Sequence, residues 1–66
     1  MSYSVELVIN GMAEDTYITD SLSNAQAKFD SWEQDFQNDT GVTVKLYLYD
    51  ESTDEYTEVN YNGEVI

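Results

Sequence analysis

The chain contains no cysteine, no histidine, no arginine and no proline. Without cysteine it can form neither a disulfide nor a thiolate metal site. Without histidine it lacks the commonest transition-metal ligand. The absence of both leaves no residue to complete the usual nucleophile–base pair. Only two basic side chains are present, Lys28 and Lys45, so the phosphates of a bound nucleic acid would go unneutralised. The same shortage opposes binding to an anionic membrane surface. The three glycines are isolated and build no phosphate-cradling loop. The longest apolar run, Leu7-Val8-Ile9, is far too short for a transmembrane helix. The opening Met1-Ser2-Tyr3-Ser4 lacks the basic region and apolar core of a signal peptide, so the expected location is the cytoplasm.

Sixty-six residues make a single domain, and a chain of that size buries only about 60% of its unfolded surface. Small domains usually need a disulfide, a metal or oligomerisation for support, and here self-association is the one left open. Hydrophobic residues at 41% and aromatics at 14% separate the chain from a disordered acidic tail, so a folded domain is expected. Fourteen acidic residues against two lysines give a formal net charge of −12. Charge of this size speaks to solubility and association rather than to fold. Two causes stay open: a surface directed at a basic partner, or a general adaptation to solubility or a salty cytoplasm.

Residues 3–9 alternate, with Tyr3, Val5, Leu7 and Ile9 on one face and Ser4, Glu6 and Val8 on the other, as in a half-buried strand. Asn10-Gly11 follows and reads as a type I′ hairpin turn. The second strand, about residues 14–19, has two possible registers. A two-residue loop puts Ile18 inside; a three-residue loop puts Tyr17 inside. A helix is expected over about 24–38. Ser23 and Gln26 fit a capping box, with Leu22 and Ala27 as its staple. Leu22, Ala25, Phe29, Trp32 and Phe36 form one apolar stripe, and Gly41 is the expected stop signal. Residues 42–49 alternate again. Val42, Val44, Leu46 and Leu48 read as buried, while Thr43, Lys45, Tyr47 and Tyr49 face the other way. A polar turn at 50–54 leads to a fourth strand at 55–61. Asn62-Gly63 is a further turn, with Glu64-Val65-Ile66 trailing or pairing back. The order ββαββ implies an α+β fold, a four-stranded, mainly antiparallel sheet with one helix across one face. One helix covers one face only. The other would carry Tyr47, Tyr49 and Tyr56, with Val8, either open to solvent or buried against a second subunit.

Carboxylates are the one abundant reactive group. Acid–base catalysis requires carboxylates whose environments push their pKa values apart, and nearly all of these fall in turns or on outer faces. An enzyme is therefore not expected, nor is any cofactor. Calcium takes oxygen ligands, and Asp50, Ser52 and Asp54 fall at the first three ligand positions of a calcium loop. The pattern then fails, because Glu55 stands at the glycine position and Tyr61 at that of the bidentate glutamate. A solvated turn accounts for the same residues.

The acids form two groups along the chain. One is Asp30, Glu33, Asp35 and Asp39 on and beside the helix. The other is Asp50, Glu51, Asp54, Glu55 and Glu58 on the second hairpin. Asp35 and Asp39 lie where the helix dipole favours cations, so the charge is not arranged for helix stability. Selection for solubility alone would be expected to mix signs. Carboxylates projecting from a helix and turns can imitate a phosphate backbone and occupy the basic channel of a nucleic-acid-binding protein. Tyr47, Tyr49 and Tyr56 could add apolar anchors.

In size, charge, lack of cysteine and histidine, and hairpin–helix–hairpin order, nearly the whole chain resembles small acidic phage-encoded proteins. These include DNA-mimic inhibitors such as the uracil-DNA glycosylase inhibitors and the anti-restriction and anti-CRISPR proteins. The stretch "VELVINGMAEDTYITDSLSNAQAKFDSW" also looks like short phage proteins that open with a hairpin and an amphipathic helix. The likeness is one of design rather than of motif, so no residue role is carried over. It implies a binding protein that engages a basic partner and blocks a nucleic-acid site. The alternative is a homodimeric accessory protein joined through its tyrosine face, with the charge serving solubility only.

Overall fold

The computed structural model describes residues 1–66. Four strands and one helix follow in the order β1 (Ser2–Ile9), β2 (Met12–Thr19), α1 (Leu22–Asp35), β3 (Val42–Asp50) and β4 (Glu55–Val59). The strands form one antiparallel sheet in the order β2-β1-β3-β4. The helix packs across one face, giving the expected α+β, ββαββ architecture. Val5, Leu7, Val44, Leu46 and Val59 from the sheet meet Ala25 and Trp32 from the helix in the core. Leu22, Phe29 and Phe36 complete the helix stripe at the core's margin.

The first hairpin combines the two registers that the sequence sets as alternatives. Asn10 (φ 53°) and Gly11 (φ 83°) form the tight turn, and Ile9 faces Met12 across a two-residue loop. The ladder then shifts between Val8, which faces Ala13, and Leu7, which faces Asp15. Glu14 is the extra residue of a β-bulge, and such an insertion reverses the facing of everything beyond it. Tyr17 therefore lies opposite Val5 and packs on the core, while Ile18 lies opposite Ser4 on the outer face and is exposed. The bulge and the nearby acids also blunt β2 as a free edge.

The helix is shorter than expected and begins two residues earlier. Its N-cap is Ser21, not Ser23. Ser21 has extended backbone angles, and its hydroxyl accepts a hydrogen bond from the Asn24 N–H at 3.2 Å. Gln26 is not available for the reciprocal half of a capping box, because its amide donates to the Tyr61 carbonyl at 2.9 Å. Leu22 becomes the first helical residue rather than half of a staple. At the far end Phe36 leaves the helical region (φ −113°, ψ 18°), so the helix stops at Asp35 and not at 38. Gly41 is not the helix cap. It sits just before β3 at φ +79°, where an added Cβ would collide with the side-chain oxygen of Asn10. Its carbonyl accepts the Asn10 N–H at 2.7 Å, joining the first turn to the start of β3.

Strand β4 ends at Val59, two residues short of expectation. The Asn60 side-chain oxygen accepts the N–H groups of Asn62 and Glu64, each at 3.0 Å, and curls the chain away from the ladder. Val65 then pairs back on Val59. The curl turns Tyr61 onto the helix, where its ring meets Phe29 at 5.6 Å and its hydroxyl donates to Asp30 at 2.8 Å.

Candidate functional site

The uncovered face of the sheet is the most distinctive surface of the molecule. Alternation along the strands places Ser4, Glu6 and Val8 of β1 there, with Thr16 and Ile18 of β2. Lys45, Tyr47 and Tyr49 of β3 and Tyr56 and Glu58 of β4 complete it. Tyr49 and Tyr56 are direct cross-strand partners, and their rings stack with centroids 4.6 Å apart and planes 27° from parallel. Tyr47 meets Tyr56 edge-on at 6.2 Å. The three tyrosines named from the sequence are thus brought into one cluster.

The turn beneath them holds the cluster in place. Asp54 takes up a left-handed conformation (φ 59°), and its N–H closes the turn onto the Asp50 carbonyl at 2.7 Å. Its carboxylate accepts the Tyr49 hydroxyl at 2.7 Å. A phenol donating to a carboxylate resists ionisation, and Tyr49 is pushed up to about 12, chiefly by that bond. Tyr47 is raised as well, first by burial and then by the negative charges of Glu6 and Glu58. Asp50 accepts both the N–H and the hydroxyl of Ser52, at 3.0 and 2.7 Å, which holds its pKa below the ordinary carboxylate value. Glu51 accepts the Ser2 hydroxyl and pairs with the Met1 amino group at 3.3 Å; the Ser2 bond is the main cause of its lowered pKa.

The acids named from the sequence therefore have different duties. Asp30, Asp50, Glu51 and Asp54 are internal hydrogen-bond acceptors. Glu33, Asp35, Asp39, Glu55 and Glu58 are exposed and accept no side-chain hydrogen bond, whereas Asp30, Glu51 and Asp54 are exposed but bonded. Nor do the two groups make one surface. Glu33 and Asp35 lie on exposed helix positions in the layer opposite the open sheet face, and Asp39 follows the helix C-terminus. Asp50 to Glu55 sit at the other end of the strands, near the level where the helix starts. The helix between them spans about 21 Å. A partner docked on the open face meets the second-hairpin group and Glu6. Sequence reading placed Glu6 on this face but gave it no role; its register opposite Lys45 and beside Tyr47 is what marks it.

No three acidic side chains converge as a metal-holding group. At the loop that begins like a calcium site, Asp50 is turned onto Ser52 and Asp54 onto Tyr49. Glu6 and Glu14 do not meet across the first hairpin, since Glu6 faces Thr16 and Glu14 is the bulge. A shallow groove of about 370 Å³ runs between the helix and β2, lined by Tyr17, Asn24, Ala27, Lys28 and Ser31. Its Lys28 ammonium lies over the Trp32 ring at 4.6 Å and near the Tyr17 ring at 5.7 Å.

These features define the class: a four-stranded antiparallel sheet, covered on one face by a helix and presenting tyrosines and carboxylates on the other. No helix is long and apolar enough to cross a membrane. Comparison with known families, curated proteins and solved structures gives no match.

Proposed function

We propose that this protein is a small acidic binding protein whose open sheet face engages a basic protein partner. One observation carries the reading. A preformed cluster of Tyr47, Tyr49 and Tyr56 lies beside Glu6 and Glu58, neither of which is held in an ion pair. Aromatic side chains are the commonest anchors of protein interfaces, and a mainly negative rim, in which Lys45 is the one cation, steers a basic partner to them. The cytoplasm is its expected place of action.

In its specific form the proposal is a phage-type nucleic-acid mimic. A partner with a basic groove for nucleic acid is the natural complement of such a face, and occupancy by this chain would exclude the nucleic acid. The second-hairpin acids supply the negative edge; the helix acids lie too far round the molecule to join the same contact. A second copy of the chain is the alternative occupant, favoured by exposed Ile18 and Tyr56. It is disfavoured by bringing a second net charge of −12 to the interface.

The test is capture of host proteins by the wild-type chain and by a Glu55→Gln/Glu58→Gln variant, at low and high salt and after nuclease treatment. These two acids are chosen because neither is an internal hydrogen-bond acceptor. The expected result is a nucleic-acid-binding protein held by the wild type at low salt, released at high salt and lost from the variant. That protein should then lose its nucleic acid when this chain is added. Capture that ignores both salt and the substitutions would overturn the proposal.

A further inference from the structure

We infer that the side chain this face is built to take is arginine rather than lysine, carried on an exposed segment of the partner. The inference rests on the reading of the open face given above and adds the chemistry of the contact. Tyr49 covers one side of the Tyr56 ring, and Tyr47 stands perpendicular to it at 6.2 Å, yet Tyr56 keeps 48% of its surface exposed. The ring is an available aromatic platform. Its orientation is set in advance, since Asp54 holds the Tyr49 hydroxyl at 2.7 Å and Tyr49 backs Tyr56. Less conformational freedom is then lost on binding.

Glu58 supplies the second contact. It lies two residues along β4 from Tyr56, on the same face, at a strand spacing of about 7 Å. A planar guanidinium can stack on the ring and present its fork of N–H donors to that carboxylate. An ammonium is a compact, strongly hydrated point charge that gains less from an aromatic face and has no fork. The pair Tyr56–Glu58 therefore discriminates between two cations of equal charge. The net charge of −12 draws both toward the surface, and this local pair distinguishes them.

The experiment titrates the full chain with oligo-arginine and oligo-lysine peptides of equal length, read by calorimetry at low and physiological salt. Oligo-arginine is expected to bind about tenfold more tightly. Tyr56→Leu should bring that ratio below about twofold, while Tyr56→Trp should keep or raise it. Glu58→Gln should weaken both peptides and oligo-arginine more. Circular dichroism on each variant checks that the fold is intact. Equal affinity for the two peptides in the wild type would overturn the arginine inference and leave the basic-partner reading standing. Binding of neither peptide at low salt would overturn both. A concentration-dependent dimer in sedimentation, abolished by Tyr56→Leu, would also overturn the inference by assigning the face to a second copy.

Discussion

Ser4 offers a stability test that follows directly from the geometry of the open face. It is fully buried, at 0% exposure, although it lies on the side of the sheet that no helix covers. Its neighbours in the ladder are Ile18 on β2 and Tyr47 on β3. Its hydroxyl has no hydrogen-bond partner. A buried hydroxyl without a partner costs about 1–3 kcal/mol in lost hydration. Ser4→Ala removes that cost. Against it stand a weaker strand preference, worth some tenths of a kcal/mol, and the small void left by one oxygen atom. The net expectation is a gain of about 1 kcal/mol. For a domain of this size that raises Tm by about 4–8 °C. Thermal melts followed by circular dichroism, with urea titrations at one temperature, would measure it. Ser2→Ala is the control, because the Ser2 hydroxyl is partnered by Glu51; that change should lower stability slightly. A fall in Tm for Ser4→Ala beyond experimental error would refute the reasoning, since it would mean the hydroxyl is satisfied in the native state.

Stability should fall as pH rises from about 10 toward 12, because Tyr49 is held up at about 12 when folded, against an ordinary tyrosine value of 10.0. Between those values the unfolded chain has released the proton that the folded chain still holds, so rising pH favours unfolding. Urea titrations across that range would show it, and Asp54→Asn should remove much of the slope while lowering the Tyr49 pKa measured by phenolate absorbance. Gly41→Ala should destabilise more than Gly11→Ala. Both positions have positive φ, which costs a non-glycine residue about 1–2 kcal/mol, but only Gly41 also has the Asn10 side chain in the way; equal losses in melting experiments would refute the collision. Raising sodium chloride from very low to physiological concentration should raise Tm, because the Debye length shrinks from about 30 Å to about 8 Å and screens the self-repulsion of the net −12 charge. Calcium chloride at equal ionic strength should give the same shift, and a larger one would reveal a specific site.

The fold was legible because period and turn chemistry agreed with each other. Alternation in residues 3–9 and 42–49 fixed which side of each strand is inside, and Asn10-Gly11 fixed the hairpin. The errors came where a side chain competed with the backbone pattern. Ser23 with Gln26 has the spacing of a capping box, but Gln26 bonds to Tyr61, which lies 35 residues away. Asn60 breaks a strand whose apolar alternation continues through Tyr61. The bulge at Glu14 had no local signal, since glutamate carries no special backbone preference. It was visible only as a conflict between Ile18 and Tyr17 over which faces the core. Of the candidate surface, Tyr47 and Tyr49 were readable from the phase of β3, and Tyr56 joined them through the pairing of β4 with β3. The split between acids that accept internal hydrogen bonds and acids that do not was not, because for Asp30 and Glu51 it depends on contacts between distant segments.

That split bears on why the chain carries so much unbalanced charge. With no arginine and two lysines, an acidic side chain has few cations to meet. Apart from the Met1 amino group, which pairs with Glu51, the fold uses hydroxyl and amide groups as its carboxylate partners. Tyr49 donates to Asp54, Tyr61 to Asp30, Ser52 to Asp50, and Asn60 to Glu64. Each bond satisfies a carboxylate without cancelling its charge. The second hairpin is thus held together by its acids and still presents a negative surface. Had the same turns been fixed by salt bridges, the structure would be equally closed and the field around it much weaker. Holding Asp50 and Asp54 with neutral donors keeps their charge available to an external cation at the point where the tyrosines are exposed. A chain under pressure only for stability would gain from mixed signs near Asp35 and Asp39, where the helix dipole favours a cation. Lys45 stands on the tyrosine face, but no basic residue occurs from Phe29 to Val44, the stretch around the helix C-terminus where a cation would help, and that gap favours selection for the negative field over selection for solubility.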